Sequence, residues 1–142
     1  MHEFTQEVEE LAKAVMEYSL ERLKSNPPLD GPRSEQDLYA ELGNTITPQG
    51  LGGKQTLKVF TETLALACIS TDHPRNLAFI PSAPSEYANL FDLVVGASSL
   101  YGGSWQEGAG AVFAENQALK WLIDIAGLPK SAGGVFVQGG TM

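Results

Sequence analysis

Ser104-Trp105-Gln106-Glu107 and Ala126-Gly127-Leu128-Pro129 bracket a segment of helical periodicity, and Gly133-Gly134-Val135-Phe136-Val137-Gln138-Gly139-Gly140-Thr141 follows it. The first tetrapeptide is a capping box, with a serine to accept an early helix amide and a glutamate three residues on. The second is a helix exit, because glycine takes the left-handed conformation that ends a helix and proline cannot continue one. A helix is therefore predicted from Ser104 to Ala126. Val135-Phe136-Val137 is too short to classify by period, and a strand entering a glycine turn is one of its readings. Gly139-Gly140-Thr141 has the residue types of a phosphate cradle: glycines let the backbone approach an anion, and threonine adds a hydroxyl donor. Taken alone, such a tripeptide is far more often an ordinary turn. A phosphate site would need a helix starting just after Thr141, with its positive end toward the anion.

Working upstream, Ser85 to Tyr101 reads as a helix ended by Gly102-Gly103. Before it, the loop through Pro84 contains His73-Pro74-Arg75-Asn76-Leu77-Ala78-Phe79-Ile80-Pro81-Ser82. Leu57, Phe60, Leu64 and Cys68 share one face of an amphipathic helix predicted from about Lys54 to Ile69. Ser34-Glu35-Gln36-Asp37 is a second capping box, opening a short helix that Gly43 stops. Ser25 to Arg33 is proline-rich connection. Phe4, Val8, Leu11, Val15, Tyr18 and Leu23 fall at helical spacing from Phe4 to Leu23, so one face of that helix requires cover. There is no internal repeat and no low-complexity tract.

Composition excludes several classes. An apolar share of 43% with 18% charged residues suits a globular chain with a core rather than disorder. Seventeen acidic residues against nine basic give a net charge of −8, which opposes binding to nucleic acid. The longest apolar run, Leu64 to Ile69, falls far short of the roughly 20 residues that span a bilayer, so no membrane is expected. The polar, acidic start is not a signal peptide, and a single cysteine suits a reducing cytoplasm.

Isolated chemistry-bearing residues are weak signals. Two histidines and one cysteine are too few to show a metal-ligand cluster, so no metal is expected. His2 is expected to be solvated. His73 is of a residue type suited to acid–base work, but its place before Pro74 at a helix end favours a capping role. Cys68, on an apolar face with no base in view, reads as a small buried hydrophobe. Glu107 and Glu115 read as capping or solvated carboxylates rather than an acid–base pair. Trp105 and Trp121 are expected in the core or an interface.

Taken jointly and in order, the segments from His73 to Thr141 resemble the group II pyridoxal-phosphate-dependent amino-acid decarboxylases, which include aromatic-amino-acid, glutamate and diaminobutyrate decarboxylases. His73-Pro74 with Phe79, Pro81 and Ser82 looks like the family's substrate-cleft loop, which also contacts the neighbouring subunit. Ser104-Trp105, Glu115, Trp121-Leu122 and Leu128-Pro129 look like the family's long helix. The resemblance implies that Gly140, Thr141 and Met142 hold the pyridoxal phosphate and that Phe79, Ile80, Pro81 and Ser82 line the substrate cleft. The upstream helices resemble an N-terminal extension that wraps around the partner subunit. There are departures: Gly108-Ala109 stands where several relatives have Ser-Pro, and the threonine and additional glutamate common before Glu115 are missing. The uncharged Phe79-Ile80-Pro81 favours an aromatic or apolar amino-acid substrate.

The expected architecture is a mostly α-helical fragment, the N-terminal segment of a fold-type I α/β enzyme of the aspartate aminotransferase kind. Residues 1–84 would be a helical dimerisation segment with the substrate-cleft loop, and 85–142 the start of the large cofactor domain. The resemblance implies a homodimer acting on a small amino acid. It also places the Schiff-base lysine downstream of Met142, since Lys120 and Lys130 do not match the family's lysine motif, so this chain is expected to be inactive alone. Two alternatives stand beside this reading. One is a non-catalytic dimerisation module derived from a decarboxylase; the other is a different lyase or deaminating activity on the same scaffold.

Overall fold

The computed structural model describes residues 3–28, 31–79, 83–137 and 139–140, and among them every regular element is helical. The chain divides into two units, Met1–Glu86 and Tyr87–Met142.

In the first unit, helix α1 (Gln6–Lys24) starts at Thr5, whose hydroxyl accepts the Val8 amide at 3.3 Å. Helix α2 (Glu35–Leu42) starts at Ser34, which accepts the Asp37 amide at 3.1 Å, and stops at Gly43, with φ +63°. Ser34 and Gly43 thus cap this helix as the sequence predicts. Helix α3 (Gly53–Val59) runs without a break into a π-helical turn, Phe60–Leu64, and a 3₁₀ turn, Ala65–Ala67.

The π turn corrects the single amphipathic helix expected from Lys54 to Ile69. The Ala65 amide reaches back five residues to the Phe60 carbonyl, so the turn takes up an additional residue and rotates all that follows. Leu64 and Cys68 are therefore exposed, and Thr63 takes the inward position at 5% exposure. The polar Thr63 is tolerated there because its hydroxyl donates to Glu41 at 2.7 Å, and Glu41 also pairs with Arg33 at 2.6 Å. This network ties α2 to the π turn.

Helices α1 and α3 lie side by side in the same direction. Leu11 meets the Cα of Gly53, where a Cβ would collide with the leucine methyl. Seven residues further along each chain, Tyr18 and Phe60 meet edge to face, with ring centroids 6.4 Å apart. Seven residues are two helical turns, so both contacts fall on one line of each helix. Lys54 pairs with Glu10 at 2.7 Å and Arg22 with Asp72 at 2.9 Å along the same seam. The half-covered side of α1 is thus Leu11, Ala14, Tyr18 and Arg22, whereas Phe4, Val8 and Val15, grouped with it by spacing, are exposed.

In the second unit, helix α4 (Glu86–Ser98) ends three residues before the predicted boundary, because Ser99 itself turns left-handed, with φ +50°. Helix α5 (Trp105–Ile125) begins at Ser104, which accepts the Glu107 amide at 3.3 Å. Its exit is a Schellman motif: the Leu128 amide donates to the Ile123 carbonyl at 3.0 Å and the Gly127 amide to Asp124 at 3.2 Å. Gly127 has the required positive φ, +66°. Gly108 interrupts α5 with φ −132° and ψ +41°, and the Tyr101 carbonyl occupies the space its Cβ would need.

No described apolar side chain is fully buried, and the chain exposes 11831 Å². Trp105 and Trp121 are both exposed, which removes the core alternative for them. These helices have the sequence of packed elements without the cover that packing requires.

Two outcomes follow from these contacts. Alanine normally exceeds glycine in helices by about 1 kcal/mol. At Gly108 the sign is expected to reverse, with Gly108→Ala destabilising the second unit by about 1–3 kcal/mol, because backbone rather than a flexible side chain stands in the way. Thermal unfolding followed by circular dichroism reads this; a gain in stability would refute the kink.

The second outcome concerns acid. Hydrogen bonding to Lys54, reinforced by its charge, holds the Glu10 carboxyl below its ordinary 4.5. Arg33 and then Thr63 do so for Glu41, and Arg22 holds Asp72 below 3.8. Each group binds its proton less readily when folded, so its contribution is present above these ordinary values and lost as pH falls through the lower folded ones. Lys54 is raised by Glu10, so its share persists until pH passes above 10.5. The first unit should melt at a lower temperature at pH 3 than at pH 6, by a margin that shrinks in high salt.

Candidate functional site

The residues expected to line a site fall in both units. Phe79 belongs to the first unit and Gly140 to the second. Ile80, Pro81, Ser82, Thr141 and Met142 lie outside the described residues, as does His2. The two parts are therefore described separately.

Phe79 is 75% exposed and has φ +65°. A bulky residue in the left-handed region carries about 1–3 kcal/mol of backbone strain. Just upstream, the chain from Ser70 to Asn76 is a tight hydrogen-bonded turn. The His73 amide donates to the Ser70 carbonyl at 3.1 Å, and the Asn76 amide to the His73 carbonyl at 2.8 Å. His73 Nδ1 accepts the Arg75 amide at 3.0 Å, which gives this histidine a structural task. Beside the turn, Tyr18, Phe60, Leu66 and Ile69 line an open cleft of about 520 Å³ whose wall includes the Arg22–Asp72 pair.

In the second unit, Val135-Phe136-Val137 forms no strand, and the glycine turn begins at Gly139. Among the described residues nothing stands within 4 Å of where a side chain would be at Gly139 or Gly140. Among the described residues their amides donate no hydrogen bond. A phosphate needs amide donors in an uncrowded turn, and this pair fits that need in kind.

The carboxylates of α5 have separate tasks. Glu107 belongs to the helix cap, accepting the Ser104 hydroxyl at 2.7 Å. Glu115 accepts the Phe136 amide at 3.4 Å, across 21 residues of sequence, a role that the capping-or-solvated reading missed. A signal was present: Glu115 stands in the stripe Ala111, Val112, Leu119 and Ile123, where helical spacing would otherwise place an apolar side chain.

Among the described residues no group of histidine, cysteine, aspartate and glutamate is arranged to hold a metal, and no helix is long and apolar enough to cross a membrane.

With this geometry in view, comparison with known proteins points to amino-acid decarboxylases. The chain is 32% identical over 124 residues, 87% of its length, to an aromatic-L-amino-acid decarboxylase from Bacillus atrophaeus, and covers 25% of that protein. It is 23% identical over 108 residues, 76% of its length, to an L-2,4-diaminobutyrate decarboxylase from Acinetobacter baumannii, and covers 21% of it. The chain thus spans about a quarter of the length of the curated relatives it matches. No family model matches the chain, and no solved structure matches it.

The assignment of His73 to the turn predicts a specific pattern. His73→Asn, whose side-chain oxygen can accept the Arg75 amide, should keep the stability of the first unit, while His73→Ala should lose about 1 kcal/mol. Equal melting temperatures for the two variants would remove the structural role.

Proposed function

We propose that residues 1–142 form the N-terminal part of a pyridoxal-phosphate-dependent L-amino-acid decarboxylase of fold type I, working as a homodimer. The observation that carries the reading is the 32% identity over 124 residues to an aromatic-amino-acid decarboxylase. The order of motifs from His73 to Thr141 supports it. So does the exposed surface, which suits a segment that packs against further chain and a second subunit.

The cofactor, when bound, supplies an electron sink for the charge released as carbon dioxide leaves. The residues of this chain act around it. The backbone amide of Gly140, with Thr141 and Met142, would hold the phosphate and so fix the cofactor's position. Phe79, Ile80, Pro81 and Ser82 would line the cleft, exclude water and present an apolar wall to the substrate side chain. With no charge at Phe79, Ile80 or Pro81, an aromatic or apolar amino acid is the preferred substrate class. The proton-transfer and lysine chemistry would belong to residues outside 1–142.

The decisive assay is carbon dioxide release by the full-length protein carrying residues 1–142, supplied with pyridoxal phosphate. Release from an aromatic L-amino acid well above that from 2,4-diaminobutyrate is expected. Residues 1–142 alone should release none, and borohydride should not fix the cofactor to them. A full-length protein that binds no pyridoxal phosphate, or decarboxylates no amino acid, would overturn the reading.

A further inference from the structure

Glu115 and Leu119 lie one turn apart on the same side of α5, and both meet the segment that leads into the glycine turn. Glu115 Oε1 accepts the Phe136 amide at 3.4 Å, and a Cβ on Gly134 would stand 3.2 Å from Leu119 Cδ2. The pairing 115 with 136 and 119 with 134 sets the segment antiparallel to the helix. The spacings agree: four helical residues advance about 6 Å and two extended residues about 6.6 Å. Gly134 permits the close approach at one point, and the carboxylate fixes the backbone at the other.

A carboxylate in a half-covered stripe otherwise made of Ala111, Val112, Leu119 and Ile123 is costly unless it is given a donor. A leucine there would extend the stripe but hold no amide. Apolar contact alone lets an extended segment slide along a helix, whereas one hydrogen bond to one amide selects a register. The glycine turn begins three residues beyond Phe136, close enough along the chain for that register to limit where the Gly139 and Gly140 amides can stand.

We infer that Glu115 is a positioning residue: it binds the Phe136 amide, locks the 134–137 segment against α5 and thereby sets the place of the glycine turn that receives the cofactor phosphate. This rests on the pyridoxal-phosphate reading above. On this reading Glu115 acts on the phosphate site through the chain that it holds at Phe136 rather than by contact with the cofactor.

The test uses the full-length protein in its cofactor-free form, with two readouts: hydrogen exchange at the Phe136 amide and the dissociation constant for added pyridoxal phosphate. Glu115→Ala should speed Phe136 exchange and weaken cofactor binding by about three- to tenfold. Glu115→Gln keeps an acceptor oxygen and should restore both to near the parent values. If Glu115→Ala fails to fold, Glu115→Asp, which keeps the charge but withdraws the oxygens by one methylene, should show the same two losses. Unchanged Phe136 exchange in the Ala or Asp variant overturns the inference, as does faster exchange with unchanged affinity. A parent protein that binds no pyridoxal phosphate instead removes the functional reading, and Phe136 exchange then still decides whether Glu115 sets the register.

Discussion

Leu90, Phe91, Leu93, Val94 and Val95 spread over more than half of the circumference of α4, leaving Asn89, Asp92 and Gly96 on the remaining side, and every residue of that helix is exposed. A helix with so wide an apolar face is stable in water only when other elements cover that face. The same constraint governs α1, where Val8 and Val15 remain exposed after the seam with α3 has formed. Propensity and capping can shape such helices, but most helical stability comes from packing. Among the described residues these apolar faces remain uncovered, and the chain spans about a quarter of the length of the decarboxylases it matches.

Within that constraint, polar groups set the few fixed geometries. Glu41 joins Arg33 and Thr63, so that α2 is tied to the π turn by a carboxylate with two donors. Glu115 joins Phe136, so that the segment before the glycine turn is tied to α5. In both cases an acidic side chain reaches a distant donor that apolar contact could not select. Coulombic gain between exposed partners is small, and their value here is directional: they choose one register among several of similar apolar contact.

Backbone exceptions supply the remaining geometry. Gly53 lets α1 and α3 approach at Leu11, Gly108 makes room for the Tyr101 carbonyl, and Gly127 closes α5. Phe79 is different, since a bulky side chain in the left-handed region carries strain that glycine would not. That strain falls in the loop read as a substrate cleft, the kind of place where such conformations tend to occur.

The sequence by itself determined where α2 and α5 start and stop. Ser34, Ser104, Gly43 and the Gly127-Leu128-Pro129 exit act through hydrogen bonds and dihedral preferences within a few residues, so their signals are complete in the local chain. It also carried the resemblance to decarboxylases, through motifs in a fixed order. Only the tertiary structure decided which helix faces turn inward, because the π turn at Phe60–Leu64 rotates the stripe and puts Thr63 where Leu64 was expected. The same holds for Glu115, whose partner stands 21 residues away: the apolar stripe around it was visible in the sequence, but the register that brings the Phe136 amide to it exists only once the two segments lie together.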